Sequence, residues 1–489
     1  MNLPHRKLFA LGTLLAGAIL FVLVFVKARN SSFTHDESFS YLQYCGQSFS
    51  EIISFSDWYT NNHILNSLGM KYAELGFGNS ELALRLPNLL LLLVFMYYAY
   101  RLFNTGSWLA DMALFLILCT NCLLMNLFGM ARGYGLSCGF MMMSLYHFLE
   151  YTKTTRVKHL ALFHIAAMLA SLSSFTLLTF YASAMIIYNI LLFIQDADGQ
   201  KRMRMIWRSN LRHLPFLLLS AGVLYEPVRR LVSYSALDFG GKEGFYSDTV
   251  YELVFYIMQS WKMPVFAMFI LKLFFTLVVL VPLGIIIMNA LRRNTAFFSE
   301  NKGLVVTTLL PVIISLIIVL QHIILGADYP VGRFSIFLFP LLVVQIGFFV
   351  KYLLTKRFRV FMLSFITSAM FISVLSFALL FDFRKNAEWW YDSDTKDAMQ
   401  GLRTEYHASG KDKKPYKLCV SPIFEPTVNF YRVTKEYNWL QPVTRNPIDS
   451  ACDYVYMFEK EINLLNNWNY TVVKRFPGSG TILVRVNHR

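Results

Sequence analysis

The chain has 489 residues, of which 56% are hydrophobic, 16% aromatic and 15% charged, and its mean hydropathy is +0.45. Soluble domains carry about 25% charged residues, so the deficit excludes an ordinary soluble enzyme, a disordered chain and a nucleic-acid-binding tail protein. The 45 Lys+Arg against 30 Asp+Glu give +15, a surplus that in a membrane protein is expected from basic residues retained in cytoplasmic loops.

Apolar segments able to cross a bilayer need roughly 17–25 residues. Eleven are predicted, at 8–26, 82–102, 108–127, 136–151, 160–175, 176–194, 214–231, 264–291, 304–325, 334–350 and 360–381. Lys27-Ala28-Arg29-Asn30 follows the first, with no small-residue cleavage site, so it reads as a retained helix. With the N-terminus cytoplasmic, the inward loops receive Arg6 and Lys7, then Arg101, then Lys153, Arg156 and Lys158. Lys201, Arg202, Arg204, Arg208 and Arg212 follow, then Arg292, Arg293 and Lys302, then Lys351, Lys356, Arg357 and Arg359. This predicts a multi-pass protein with its N-terminus inside and its C-terminus outside. The compact size and minimal inward loops point to a bacterial inner membrane. A loop at 28–80, a loop at 232–263 and everything after 381 then lie outside.

Residues 382–489 differ from the rest. Short apolar stretches (KLCVSP, DYVYMF, YTVVKRF, TILVRV) alternate with charged and turn residues, the pattern of a small α/β or α+β domain. Two domains are expected: a membrane domain over 1–381, which includes the 28–80 loop, and an external domain over 382–489. Cys419 and Cys452 both fall in the latter, where a disulfide and two free thiols are both open. Cys119 and Cys122 sit inside an apolar helix with no second pair and read as packing. Trp389-Trp390-Tyr391-Asp392 follows the last span and reads as an interfacial aromatic belt; it also resembles the WWD element of oligosaccharyltransferases, which would imply peptide recognition. No HExxH, P-loop or Rossmann glycine pattern is present.

The 28–80 loop carries the chemistry. Asp36 and Glu37 are adjacent carboxylates just beyond the first helix; His63 follows in Asn61-Asn62-His63, then Lys71, and Arg85 opens the second span as Arg85-Leu86-Pro87. Ile52, Ile53, Phe55, Trp58 and Tyr59 suit short amphipathic helices lying along the interface. Further on come Ala131-Arg132-Gly133-Tyr134-Gly135 and, within DYPVGRFSIFLFP, Arg333.

In their order these elements resemble the GT-C glycosyltransferase superfamily, in particular the branch of protein O-mannosyltransferases and lipid A aminoarabinose transferases. The likeness covers about residues 8–381 and rests on the Asp36-Glu37 pair, the His63 element, Arg85-Leu86-Pro87, the Arg132-Gly133-Tyr134 element and the Arg333 element. Two departures are visible: Ile64 and Leu65 stand where the family has prolines, and Phe39 where aminoarabinose transferases have an arginine.

The resemblance implies an inverting transferase that moves a sugar from a polyprenyl-phosphate carrier to an acceptor outside the cytoplasm. That acceptor is a protein, a lipid or a glycan; membrane lipid is a partner and nucleic acid is not. Asp36 would be the base, with Glu37 orienting loop and acceptor. Arg85, Arg132 and Arg333, with His63, would hold the donor phosphate, because guanidinium forks match phosphate oxygens. Each arginine also fits a helix-end residue reaching to the interface, and His63 a structural hydrogen bond. No cofactor is expected; the nearer branch implies no metal, whereas the oligosaccharyltransferase relatives use a divalent one. Arg229, Arg230 and Lys71 are weaker candidates. The alternative function is a transporter or flippase of a lipid-linked sugar, which shares the hydropathy but usually carries internal repeats and mid-membrane charges.

Overall fold

The computed structural model describes residues 3–57, 61–195, 199–234, 240–261, 263–355, 358–408 and 415–488. Trp58, Tyr59, Lys356 and Arg357, and the side chains of Lys201 and Arg202, lie outside the described residues. All eleven expected segments are largely helical. Among the described residues six helices are long and apolar enough to cross a bilayer: His5–Asn30, Glu81–Leu102, Leu177–Ile194, Val265–Leu291, Lys302–Leu325 and Arg359–Leu380. Gly133–Thr154, Val157–Ser173, Gly199–Ser233 and Leu338–Leu354 are shorter or more polar.

The segment expected at 108–127 is a pair, Trp108–Cys119 and Cys122–Phe128, bent by 66°. Backbone groups freed by the break need partners. Asn121 caps the second helix by accepting the Leu124 N–H at 3.0 Å. Gln259 satisfies the rest, donating to the Thr120 carbonyl at 2.5 Å and accepting the Cys122 N–H at 2.7 Å. Apolar side chains from these helices form one continuous core, including Phe95, Leu114, Phe128 and Val344. The Val265–Leu291 and Arg359–Leu380 helices instead expose most of their apolar side chains, among them Phe266 and Phe371, the arrangement of a helix face solvated by lipid.

The 28–80 loop folds as helices His35–Tyr44, Phe49–Ile53 and Ile64–Phe77. Ile52 and Phe55 are buried against Ile64, Leu172 and Leu224, so this loop packs inward as well as presenting an amphipathic face.

The C-terminal region is a four-stranded sheet, β1 (Leu418–Val420), β2 (Tyr454–Phe458), β3 (Tyr470–Phe476) and β4 (Thr481–Val486), in the order β1-β2-β4-β3. β1 pairs parallel with β2, and the other pairs are antiparallel. Pro477-Gly478-Ser479-Gly480 turns the β3–β4 hairpin, with Gly480 at φ +62. Cys419 and Cys452 form a disulfide. The Glu425–Thr434 helix docks this region onto the first loop: Phe430 stacks on Phe33 at 4.2 Å and meets Tyr41 edge-on, and the Phe33 N–H donates to the Tyr431 hydroxyl at 2.9 Å. The His35–Tyr44 helix is thereby held from both sides, which fixes where its first residues point.

Candidate active site

Asp36 and Glu37 open the His35–Tyr44 helix, whose cap Thr34 forms a reciprocal box with Glu37. Consecutive helical residues point about 100° apart, and the two carboxylates go to different places. Glu37 is fully buried. Its Oε2 accepts from the Thr34 N–H and hydroxyl and from Arg85 Nη2 at 2.7 Å; its Oε1 accepts from Arg85 Nε at 2.8 Å and the Ala131 N–H at 2.6 Å. Arg85, also fully buried, spends its remaining N–H groups on the carbonyls of Ala28, Ser31 and Ser32 and the Ser31 hydroxyl. The N–H groups of Arg85 and both oxygens of Glu37 are thus engaged within the protein. The pair ties the first helix, the loop, the second span and the Ala131 turn together.

Asp36 faces the other way. Its Oδ2 meets Arg132 Nη2 at 3.2 Å and Arg333 Nη2 at 3.5 Å, and its side chain is 14% exposed. Burial pushes its pKa up, but the Arg132 and then the Arg333 guanidinium outweigh burial and hold it below the ordinary carboxylate value. The same guanidiniums oppose a divalent cation at this carboxylate.

Arg132 is set by its turn. The Ala131 N–H is held by Glu37 and its carbonyl by Asn66 Nδ2 at 2.8 Å; Asn88 bonds Asn66 at 3.0 Å and accepts the Leu136 N–H at 3.2 Å. The guanidinium then donates to the Asp36 carbonyl, the Ser40 hydroxyl and Asn61 Oδ1, and among the described residues its buried Nε has no partner.

Arg333 lies on a loop with Gly332 at φ +54, a backbone region that favours glycine. A Cβ there would come within 2.8 Å of Glu388 Oε1. Glu388 accepts the Arg333 N–H at 3.0 Å and forms an ion pair with its guanidinium. Arg333 Nε donates to the Tyr134 hydroxyl at 3.2 Å, and the guanidinium lies 4.8 Å over the Trp389 ring.

His63 is buried beside Tyr134. Nδ1 lies 2.8 Å from the Ser173 carbonyl, so Nδ1 carries the proton and donates. Burial, then Arg132, push the imidazole pKa well below its usual value, leaving it neutral with a bare Nε2 lone pair that has no partner among the described residues. With Nδ1 committed to the Ser173 carbonyl, the ring makes the structural hydrogen bond. The contact requires glycine at 133, where a Cβ would sit 1.9 Å from the Ser173 carbonyl oxygen and 2.6 Å from His63 Nδ1.

The weaker candidates are engaged elsewhere. Lys71 donates to the Cys45 carbonyl, and Arg229 and Arg230 pair with Glu226. The structure therefore brings Asp36, Arg132 and Arg333 together, sets Glu37 and Arg85 beside them as a closed pair, and places His63 behind Arg132.

Sequence reasoning missed Glu388 and the part played by the Trp389–Asp392 segment. Trp389 is 4% exposed and covers Arg333 rather than lying in an interfacial belt, although Trp390 is 48% exposed. Asp392 Oδ2 accepts the His35 N–H at 2.6 Å, capping the helix that carries Asp36. The aromatic-acidic run after the last span marks the segment in the sequence, but not its part in capping the helix that carries Asp36.

Burial pushes the Asp392 carboxyl up to about 8. The folded protein thus keeps a proton that the unfolded chain releases near pH 4, so this group makes stability fall as pH rises from about 4 to about 8, by at most about 1.4 kcal/mol per unit. Asp392→Asn is expected to flatten that slope in thermal unfolding followed from pH 5 to 8; an unchanged slope would mean that Asp392 is ionised in the fold.

No protein-family model matches the chain, and no curated protein does. Among solved structures it is similar to ArnT from Cupriavidus metallidurans in the apo state, with 12% identity, a TM-score of 0.47 and coverage of 97% of this chain and 98% of that one. It is also similar to the same protein bound to undecaprenyl phosphate, with 14% identity, a TM-score of 0.41 and 96% of each chain covered. The archaeal oligosaccharyltransferase AglB from Archaeoglobus fulgidus, in complex with an inhibitory peptide and a dolichol-phosphate, shares 11% identity at a TM-score of 0.42, over 94% of this chain and 70% of that one. Among its described residues the chain combines six helices long and apolar enough to cross a membrane with a small C-terminal four-stranded sheet, and its likeness to these solved structures extends along nearly its whole length.

Proposed function

We propose that the protein is an inverting glycosyltransferase that moves a sugar from a polyprenyl-phosphate carrier to an acceptor on the extracytoplasmic face, in a bacterial inner membrane. In this reading residues 1–381 carry the chemistry and 382–489 cover it. The observation that supports it most directly is Asp36, a partly exposed carboxylate held between Arg132 and Arg333. The acceptor oxygen attacks the anomeric carbon from the face opposite the phosphate. Asp36 takes the acceptor proton as the new C–O bond forms, and the bond to the phosphate oxygen breaks. The departing polyprenyl phosphate gains charge that Arg333 and Arg132 stabilise, as preorganised cations do best in a site shielded from water. Glu37 and Arg85 position the helix and the turn.

The test is a reconstitution of the purified protein in vesicles carrying lipid extract from its own membranes, followed by mass spectrometry of both leaflets. Free polyprenyl phosphate appearing in step with a newly glycosylated acceptor is the expected result. Intact lipid-linked sugar crossing the bilayer with no transfer would establish a flippase instead.

A further inference from the structure

A cavity of about 360 Å³ opens beside Arg333, walled by Asp248, Glu252 and Tyr256 on one side and by Gly332, Arg333 and Glu388 on the other. Its volume corresponds to on the order of ten waters, which suits one sugar ring and not an oligosaccharide. Arg333 joins it to the reacting carboxylate, since the guanidinium that lines the cavity also meets Asp36 at 3.5 Å. Aromatic rings, Tyr251, Tyr256 and Phe334, supply part of the wall.

The charge in the cavity is one-sided. Arg333 is paired with Glu388, which leaves the two carboxylates of Asp248 and Glu252 uncompensated. Asp248 Oδ2 is partly used, accepting the N–H groups of Glu243 and Gly244 at 2.8 and 3.1 Å. Glu252 has no hydrogen-bond or ion-pair partner among the described residues, and burial, followed by the Glu388 and Asp248 charges, pushes its pKa upward. Glu252 is half-buried in the cavity wall, so a ligand that fills the cavity must supply donors in place of the water it displaces. Ionised carboxylates only accept hydrogen bonds, and sugar hydroxyls are donors. A second carboxylate brought in by the ligand would be repelled.

We propose that this cavity seats the transferred unit, a single monosaccharide without a negative charge, which is read through its hydroxyl donors by Glu252 and Asp248 and placed with its anomeric carbon toward Asp36. This rests on the transfer reading above and adds the class of sugar and the residues that select it.

The experiment measures donor KM and kcat for the full-length protein, wild type and Glu252→Gln and Asp248→Asn, in vesicles supplied with the lipid-linked sugars of its own membranes. The mass added to the product identifies the unit transferred, and binding of bare undecaprenyl phosphate is measured alongside. Expected are a product carrying one non-anionic monosaccharide and a donor KM raised about tenfold by Glu252→Gln, with bare-phosphate affinity and thermal stability unchanged. A uronic acid or an oligosaccharide on the product, or variants with wild-type donor KM, would overturn the cavity assignment while leaving transfer intact. Absence of any transfer by the wild type would overturn both.

Discussion

Replacing Asp36 with asparagine is expected to lower sugar transfer by about 10²–10⁴-fold, the usual contribution of a positioned general base, while the protein inserts and folds normally. Asparagine keeps the size and one acceptor oxygen, so the hydrogen bonds from Arg132 to the backbone carbonyl and from Arg333 to the side chain can persist, but it cannot take the acceptor proton. The same change frees two guanidiniums from their shared counter-charge. Binding of undecaprenyl phosphate should therefore be retained or tightened as turnover is lost, an opposition that a merely structural aspartate would not produce. Initial rates and phosphate binding in the same detergent preparation decide the matter. Near-normal transfer by Asp36→Asn would remove Asp36 as the base.

Arg85→Ala is expected to destabilise the protein by about 3–5 kcal/mol, since it leaves Glu37 charged, buried and without its partner. Three backbone carbonyls lose their donor at the same time. Glu37→Gln should cost less, because an amide still fills the space and accepts one hydrogen bond. The double variant Glu37→Gln with Arg85→Ala should be destabilised by less than the sum of the two singles, the coupling expected of side chains in direct contact. Thermal unfolding of the four proteins measures this. A stable Arg85→Ala protein defective only in donor binding would instead return Arg85 to the phosphate.

Much of the fold could be read along the chain. The eleven apolar segments are largely helical, the region after 381 holds the sheet that its alternating stretches suggest, and the break near Cys119-Thr120 is an internal irregularity that hydropathy concealed. Hydropathy averages over a window, whereas that break depends on Gln259 supplying hydrogen bonds from 139 residues away. The six site residues were likewise visible as types in a suggestive order, yet their division was not. Arg85 and Arg132 look alike in sequence, each an arginine near the start of a helix. One is consumed by Glu37 and three carbonyls, and the other reaches Asp36.

What the sequence determined by itself was the membrane architecture, because bilayer crossing depends on local apolar length, and the presence of an acidic pair with arginines and a histidine to match. Only the tertiary structure decided which carboxylate is available. Adjacent helical side chains diverge by about 100°, so packing alone chooses the face that meets the site. That packing comes from the far end of the chain: Asp392 caps the helix, Phe430 and Tyr431 hold its approach, and Glu388 with Trp389 aims Arg333. Contacts that span 357 residues, from Asp392 to His35, or 55, from Glu388 to Arg333, leave no periodicity to read, and the placement of Asp36 depends on them.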